Sequence, residues 1–176
     1  MLHIGMFCSK DINDKRNDPV IAGITSMCDK FSMLPFPSAE HSPPLDILII
    51  NDSHQQTGQI TLLMPPHSFI LINSDQQDTY STIRSYSGNL ISYGLNQKAC
   101  ITASSIFDDE QYGQLQICIQ RAFPTLKGGS VAVQEFPVHM YALGVEATIA
   151  LVGTMLVCGS TIENINNLFN KNQSLV

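Results

Sequence analysis

Phe69-Ile70-Leu71-Ile72-Asn73-Ser74-Asp75-Gln76 is the stretch on which the fold turns. An unbroken apolar run gives way abruptly to polar residues. A run without alternation suits a strand buried on both faces, which is the habit of a parallel sheet. Upstream, Asp46-Ile47-Leu48-Ile49-Ile50-Asn51 has the same form. Two such strands with polar carboxyl ends predict an α/β sheet, whose ligand crevice lies at those ends. Asn51, Asp52, Asn73 and Asp75 are therefore candidate ligand contacts. Turn chemistry also accounts for them, because Asn and Asp favour turns.

Working outward towards the amino end, Leu2 to Cys8 reads as a first strand and Ser9 to Asn17 as a loop. Asp18-Pro19 is a helix start, with Asp as N-cap and Pro at the first helical position. Val20, Ile21, Ile24, Met27, Cys28 and Phe31 then recur at helical spacing. Pro35, Pro37, Pro43 and Pro44 mark an irregular connection. Towards the carboxyl end, a short helix is expected from about Asp78 to Ser87. Short strands follow: Leu90 to Tyr93, Ala99 to Ser104, a stretch where Leu115, Ile117 and Ile119 alternate with glutamines, and Ser130 to Phe136. These form an antiparallel section added to the parallel part. A helix apolar nearly all round is expected from about Met140 to Val157, ended by Gly159. Ser160-Thr161-Ile162-Glu163 reads as a capping box, with Ser160 as the cap of a last helix.

Composition sets the outer bounds. The chain has 176 residues, 44% of them apolar and 14% charged, with a net charge of −6. Such a chain buries a core and is not disordered. Scarce Lys and Arg argue against nucleic acid and against anionic membrane surfaces. The five cysteines, Cys8, Cys28, Cys100, Cys118 and Cys158, are odd in number and widely spaced. They read as small buried side chains in a reducing cytoplasm rather than as disulfides or a zinc site. His3, His41 and His67 show no metal spacing. No signal peptide is visible, and the apolar stretch from Val145 to Gly159 is too short to span a membrane. One domain over 1–170 and a flexible tail over 171–176 are expected.

The order of these features resembles the central domain of the Mur ligase family. Ile70 to Gln76 resembles that family's V-x-N-x-D-D strand end, and Asp46 to Asn51 sits where its D-x-aVltN strand lies. Asn89 to Leu95 and Ala99 to Ile106 resemble its next pair of strands. Phe136-Pro137-Val138-His139, with the apolar helix and Gly159 to Ile165, resembles its lpGxHNxxN segment. The resemblance implies a mostly parallel, Rossmann-like sheet with flanking helices. It also implies descent from enzymes that use ATP to join an amino acid or peptide to a UDP-linked muramyl precursor.

The departures are as informative. The family's GxxGK[ST] loop cradles phosphates on backbone N–H groups and a Lys. Here Ile4-Gly5-Met6-Phe7-Cys8-Ser9-Lys10 and Ala22-Gly23-Ile24-Thr25-Ser26 are the nearest candidates, and neither has the pattern. The two asparagines of HNxxN are replaced by Met140 and Leu143, one of them being the family's adenine contact. No magnesium-binding Glu, no modified Lys and no closing C-terminal domain can be matched. His139 is read as a helix N-cap, a satisfied buried histidine, or a ligand contact. Glu146, the one charge in an apolar helix, is expected to be paired, at the surface or in a cleft. Seven residues apart, the two would share one helix face. Ser53-His54 lacks the surroundings of a catalytic dyad.

The sequence therefore points to a non-catalytic, Mur-ligase-like protein of the bacterial cytoplasm. Its role would be binding, regulatory or interactive, linked to cell-wall precursor metabolism, with no cofactor. Two alternatives stand. One is a subunit of an ATP-dependent amino-acid or peptide ligase whose nucleotide site a partner chain completes. The other is an oligomerisation module. A homodimer and a protein partner in precursor metabolism are the expected associations, with no nucleic acid and no membrane span.

Overall fold

The structure, a computed structural model, describes residues 2–7, 31–35, 44–51, 64–76, 83, 86–109, 112–140 and 144–171. The expected helices over Asp18–Phe31 and Asp78–Ser87, Asp52, Cys8, Cys28 and the last residues of the tail lie outside or largely outside them.

The apolar runs form strands as their composition demands. β1 (Leu2–Phe7), β2 (Phe31–Pro35), β3 (Ile47–Ile50), β4 (Phe69–Asn73), β5 (Asn89–Tyr93), β6 (Ile101–Asp109), β7 (Tyr112–Ile119) and β10 (Gln134–Met140) share one sheet in the order β10-β7-β6-β5-β4-β3-β1-β2. β8 (Phe123–Pro124) and β9 (Ser130–Val131) pair separately. β2 through β6 run parallel in sheet order, while β7 is antiparallel to both β6 and β10. The fold is thus α/β, mostly parallel, with an antiparallel section at one side. β1 has β2 on one flank and β3 on the other, so the strand order reverses between β1 and β3. In open α/β sheets that reversal marks the crevice for ligands.

Both faces of β3 and β4 are buried, as their unbroken apolar runs require. Ile47, Ile49 and Leu71 face the larger core, and Leu48, Ile50, Ile70 and Ile72 face a smaller one with Leu45, Met64 and Ile83. The larger core is closed by α1 (Val145–Val157), in which every residue from Ala147 to Val157 is buried. Each large side chain so buried contributes about 1.5–3 kcal/mol. Gly153 brings the helix down onto the sheet, since a Cβ there would stand 3.0 Å from Ile101 Cδ1 and 3.2 Å from Leu71 Cδ2. Gly159, at φ +78, ends the helix. Its N–H bonds the Leu156 carbonyl at 2.9 Å and that of Ser160 bonds Met155 at 3.0 Å, a paired closure that satisfies the last carbonyls. α2 (Ile162–Lys171) follows and buries Ile165 and Phe169.

Four expectations need correction. The apolar helix starts at Val145 rather than Met140, because β10 carries on to Met140 with Phe136 and Val138 buried in alternation. Ser130 to Phe136 is not one strand but β9 and the start of β10. The last helix is capped by Thr161, not Ser160: Thr161 Oγ1 accepts the Asn164 N–H at 3.2 Å. Phe31, expected at the end of a helix, and Pro35, expected in the irregular connection, both belong to the edge strand β2, a place where a sheet tolerates proline.

The parallel and antiparallel parts meet at a narrow seam. β5 and β6 share a single paired position, Tyr93 with Ile101. The Cys100 N–H to Ser92 carbonyl bond, 2.9 Å, and the Gly94 N–H to Ile101 carbonyl bond, 3.2 Å, flank it. α1 spans this seam, packing on β4, β5 and β6.

Candidate functional site

The carboxyl ends of β3, β4 and β5 gather a polar network on the face that carries α1. Residues two apart in a strand share a face. Ile49 and Leu71 line the larger core, so Asn51 and Asn73, two residues on, lie on the same side as Tyr93. Asn73 and Tyr93 are fully buried and Asn51 is half-buried. Buried polar groups must find partners, and these find one another. Asn73 Nδ2 donates to Asn51 at 3.4 Å (Oδ1) and 3.5 Å (carbonyl). The Tyr93 hydroxyl donates to the same Oδ1 at 3.1 Å. Asn73 Oδ1 accepts the Asp75 N–H at 2.9 Å, the local turn that makes Asn common at such strand ends.

Asp75 reaches across to the exit of β5. Its carboxylate accepts the N–H groups of Leu95 at 2.6 Å and Asn96 at 2.7 Å. Ser74 ties the same two strands, its N–H and hydroxyl both donating to the Tyr93 carbonyl at 2.8 and 3.1 Å. Gly94 allows the close approach, for a Cβ there would lie 2.6 Å from Asp75 Oδ2.

The amino end of α1 lies at this same end of the sheet. β10 is antiparallel to β7, which is antiparallel to β6, so β10 finishes level with the carboxyl ends of the parallel strands. Only three residues separate it from Gly144. At the far end the Val157 carbonyl accepts the Leu126 N–H, just beyond the finish of β7. Among the described residues no side chain caps the first turn of α1.

The six candidates thus divide. Asn51, Asn73 and Asp75 form one cluster, and Asp52 falls outside the described residues. His139 does not begin a helix: it lies in β10 opposite Gln114. Glu146 sits in the first turn of α1 and is exposed. The two therefore share no helix face, and helical spacing does not pair them. Tyr93 was missed by sequence reasoning. The sequence signalled only its place at the end of a strand, because the side it shares with Asn51 and Asn73 depends on the register of β5 with β4. Gly5, the glycine of one candidate phosphate loop, lies inside β1, where a Cβ would press 2.6 Å from Leu45 Cδ1. It serves strand packing.

Among the described residues no cluster of three or more His, Cys, Asp or Glu could hold a metal ion. No described helix is long and apolar enough to cross a membrane. Cys100 is buried, its thiol donating to the Arg121 carbonyl at 3.2 Å, whereas Cys118 and Cys158 are only half-buried. Burial raises the Cys100 and Cys118 thiols above the ordinary value, and Glu135 beside Cys118 raises it further.

No family model matches the sequence. No curated protein sequence matches it. Solved structures do. The chain is similar to UDP-N-acetylmuramoylalanyl-D-glutamyl-2,6-diaminopimelate--D-alanyl-D-alanyl ligase from Acinetobacter baumannii, with a TM-score of 0.64 at 12% identity over 96% of this chain and 45% of that one. A further MurF structure from Acinetobacter baumannii gives 0.63 at 13% identity, over 96% and 45%. MurF ligase from Thermotoga maritima, in complex with ADP, gives 0.57 at 10% identity, over 94% and 48%. The chain spans about half the length of these ligases. At such identities the likeness is one of architecture, and the chain has a Mur-ligase-like α/β fold.

Proposed function

We propose that this chain is a non-catalytic, Mur-ligase-like protein that binds a ligand at the carboxyl ends of its strands, in the service of bacterial cell-wall precursor metabolism. The carrying observation is what Asn73 and Asp75 do. They occupy the positions that resemble the family's V-x-N-x-D-D motif, yet they spend their polar groups on turns and on the exit of β5. The missing GxxGK[ST] pattern, and Met140 and Leu143 in place of asparagines, support the same reading. A ligase needs phosphate cradling and charge stabilisation that these residues do not supply.

A thermal-shift titration with ATP, ADP, UDP-N-acetylglucosamine and a UDP-muramyl precursor, each with and without magnesium, tests the binding half. Selective binding to the folded state raises the melting temperature by mass action. A shift with a UDP-sugar but not with ATP and magnesium is expected. ATP-dependent ligation of an amino acid to the muramyl precursor by the isolated chain would overturn the non-catalytic half.

Self-association is the second reading, favoured by exposed Phe107 and Val133 (65% and 64% of their surface open). The two lie at opposite ends of the β6–β7–β10 ladder, Phe107 level with Gln114 and His139 and Val133 just before the Gln134–Ile119 pair, so they offer two separate contact points rather than one patch. Sedimentation showing only monomer at high concentration would remove it.

A further inference from the structure

β6 outruns its neighbour. β5 ends at Tyr93, which pairs with Ile101, the first residue of β6. From there β6 runs on to Asp109, and at about 3.3 Å per residue it reaches roughly 25 Å past the end of β5. β7 holds one edge of this extension along its length. The other edge faces no described strand. Residues of an antiparallel pair turn their backbone groups alternately towards the partner and away from it. The Cys100 carbonyl accepts the Gln120 N–H, on the β7 side, and the Ile101 carbonyl accepts the Gly94 N–H, on the β5 side. Ala103, two residues on, therefore turns its N–H and carbonyl to the open edge, where no described backbone group meets them. The bulge between Ala103 and Ser105 restarts the alternation, and the strand continues to Asp109. The turn after β5 is drawn the other way, its Leu95 and Asn96 N–H groups held by Asp75 at the exit of β4.

Three further features single out this edge. The outermost strands of the sheet each carry a proline, Pro35 in β2 and Pro137 in β10, which discourages strand addition, whereas β6 has none. Apolar side chains stand open on both faces of β6. Ile106 is 44% exposed although its partner Leu115 is fully buried, and Phe107, on the opposite face, is 65% exposed. An added strand would lay its own alternate side chains beside each of them. Finally, β6 ends in Asp108-Asp109 and the chain carries a net charge of −6, so a segment with Lys or Arg is attracted and a second acidic copy is repelled. We propose that the open edge of β6 docks an extended, basic peptide segment of a partner protein, added as a strand in line with β5. Backbone hydrogen bonds supply the attachment, and the faces of Ile106 and Phe107 select alternate side chains. This surface is separate from the cluster of Asn51, Asn73 and Asp75 and does not depend on a ligand there.

The test uses ¹H–¹⁵N spectra and hydrogen exchange of the full chain, with a synthetic eight-residue peptide alternating Val and Lys as the probe. Three comparisons accompany it: the same peptide with every amide N-methylated, the peptide with Glu in place of Lys, and the protein variant Ala103→Pro. The proline deletes an N–H that bonds no described backbone group, at a place where an edge tolerates it. Saturable movement and slowed exchange of the Ala103 amide are expected with the Val–Lys peptide. Binding to Ala103→Pro, followed at the Phe107 amide, is expected to weaken about threefold to tenfold, as loss of one backbone hydrogen bond implies. The N-methylated peptide is expected not to bind. An unmoved Ala103 amide at millimolar peptide, or equal binding of the N-methylated form, overturns the proposal. Equal binding of the Glu peptide overturns the basic character of the partner. Protection of the Ala103 amide that grows with protein concentration alone, alongside a dimer mass in sedimentation, gives the edge to a second copy and also overturns the proposal. Should Ala103→Pro not fold, as judged by the Ile72 and Ile117 amides, the N-methylated peptide on the wild-type chain decides.

Discussion

Gly94 leaves β5 at φ +136, a backbone conformation that side chains disfavour, and it does so against the Asp75 carboxylate. Gly94→Ala adds a Cβ 2.6 Å from Asp75 Oδ2. The backbone penalty alone is about 1–3 kcal/mol, and the clamp on Leu95 and Asn96 must also loosen. Urea denaturation is expected to show a lower midpoint with an unchanged slope; an unchanged midpoint would refute the clamp. The thiols give a second residue-scale prediction. Burial, first of all, holds Cys100 and Cys118 protonated above the ordinary thiol value. Iodoacetamide at neutral pH should therefore label both more slowly than a free cysteine, and urea should abolish the difference, read by peptide mass mapping. The sign for stability follows from linkage: where the folded pKa is raised, the stabilisation is full below the unfolded pKa and is lost as pH rises through the folded one. Mild alkali should thus lower the urea midpoint, and replacing both thiols by Ala should flatten that decline.

At the scale of elements, α1 and the sheet meet through Gly153. In a solvated helix Gly→Leu would gain helix propensity, on the order of 1 kcal/mol. Here the added side chain enters the space between Leu71 and Ile101, and overpacking of this kind costs roughly 1–3 kcal/mol or more. Gly153→Leu is expected to be net destabilising by calorimetry, and a raised melting temperature would sink this account of the packing. Legibility in the sequence follows the same physics. β3 and β4 were readable because burial on both faces leaves no polar residue inside the run. The body of α1 was readable because it is apolar on every side, but its start was not. Val138, His139 and Met140 read equally as strand or helix until the buried alternation of Phe136 and Val138 is seen in three dimensions. β2 was hidden because prolines crowd its carboxyl side, and only its edge position makes Pro35 acceptable. Of the candidate site, Asn51, Asn73 and Asp75 could be placed from strand ends alone. Tyr93 could not, since its role depends on the register that sets β5 beside β4.

For the whole molecule, the weak line is the seam between β5 and β6. A sheet opens most readily where ladder bonds are few, and such units exchange their amide hydrogens separately. Hydrogen exchange should therefore show β1, β3 and β4 opening as one unit, with β7 and β10 in another. The amides of Gly94 and Cys100 should exchange faster than those of Ile72 and Ile117; uniform protection across the sheet would mean that the seam is not a boundary. α1 crosses this line, and its apolar body belongs to the core of both parts. The exposed turn from Leu95 to Lys98 bridges the seam on the chain's own path. It follows that backbone continuity there is nearly dispensable: two separately expressed pieces, cut within that turn, should find each other and reassemble, with α1 of one piece acting as the plug for the other.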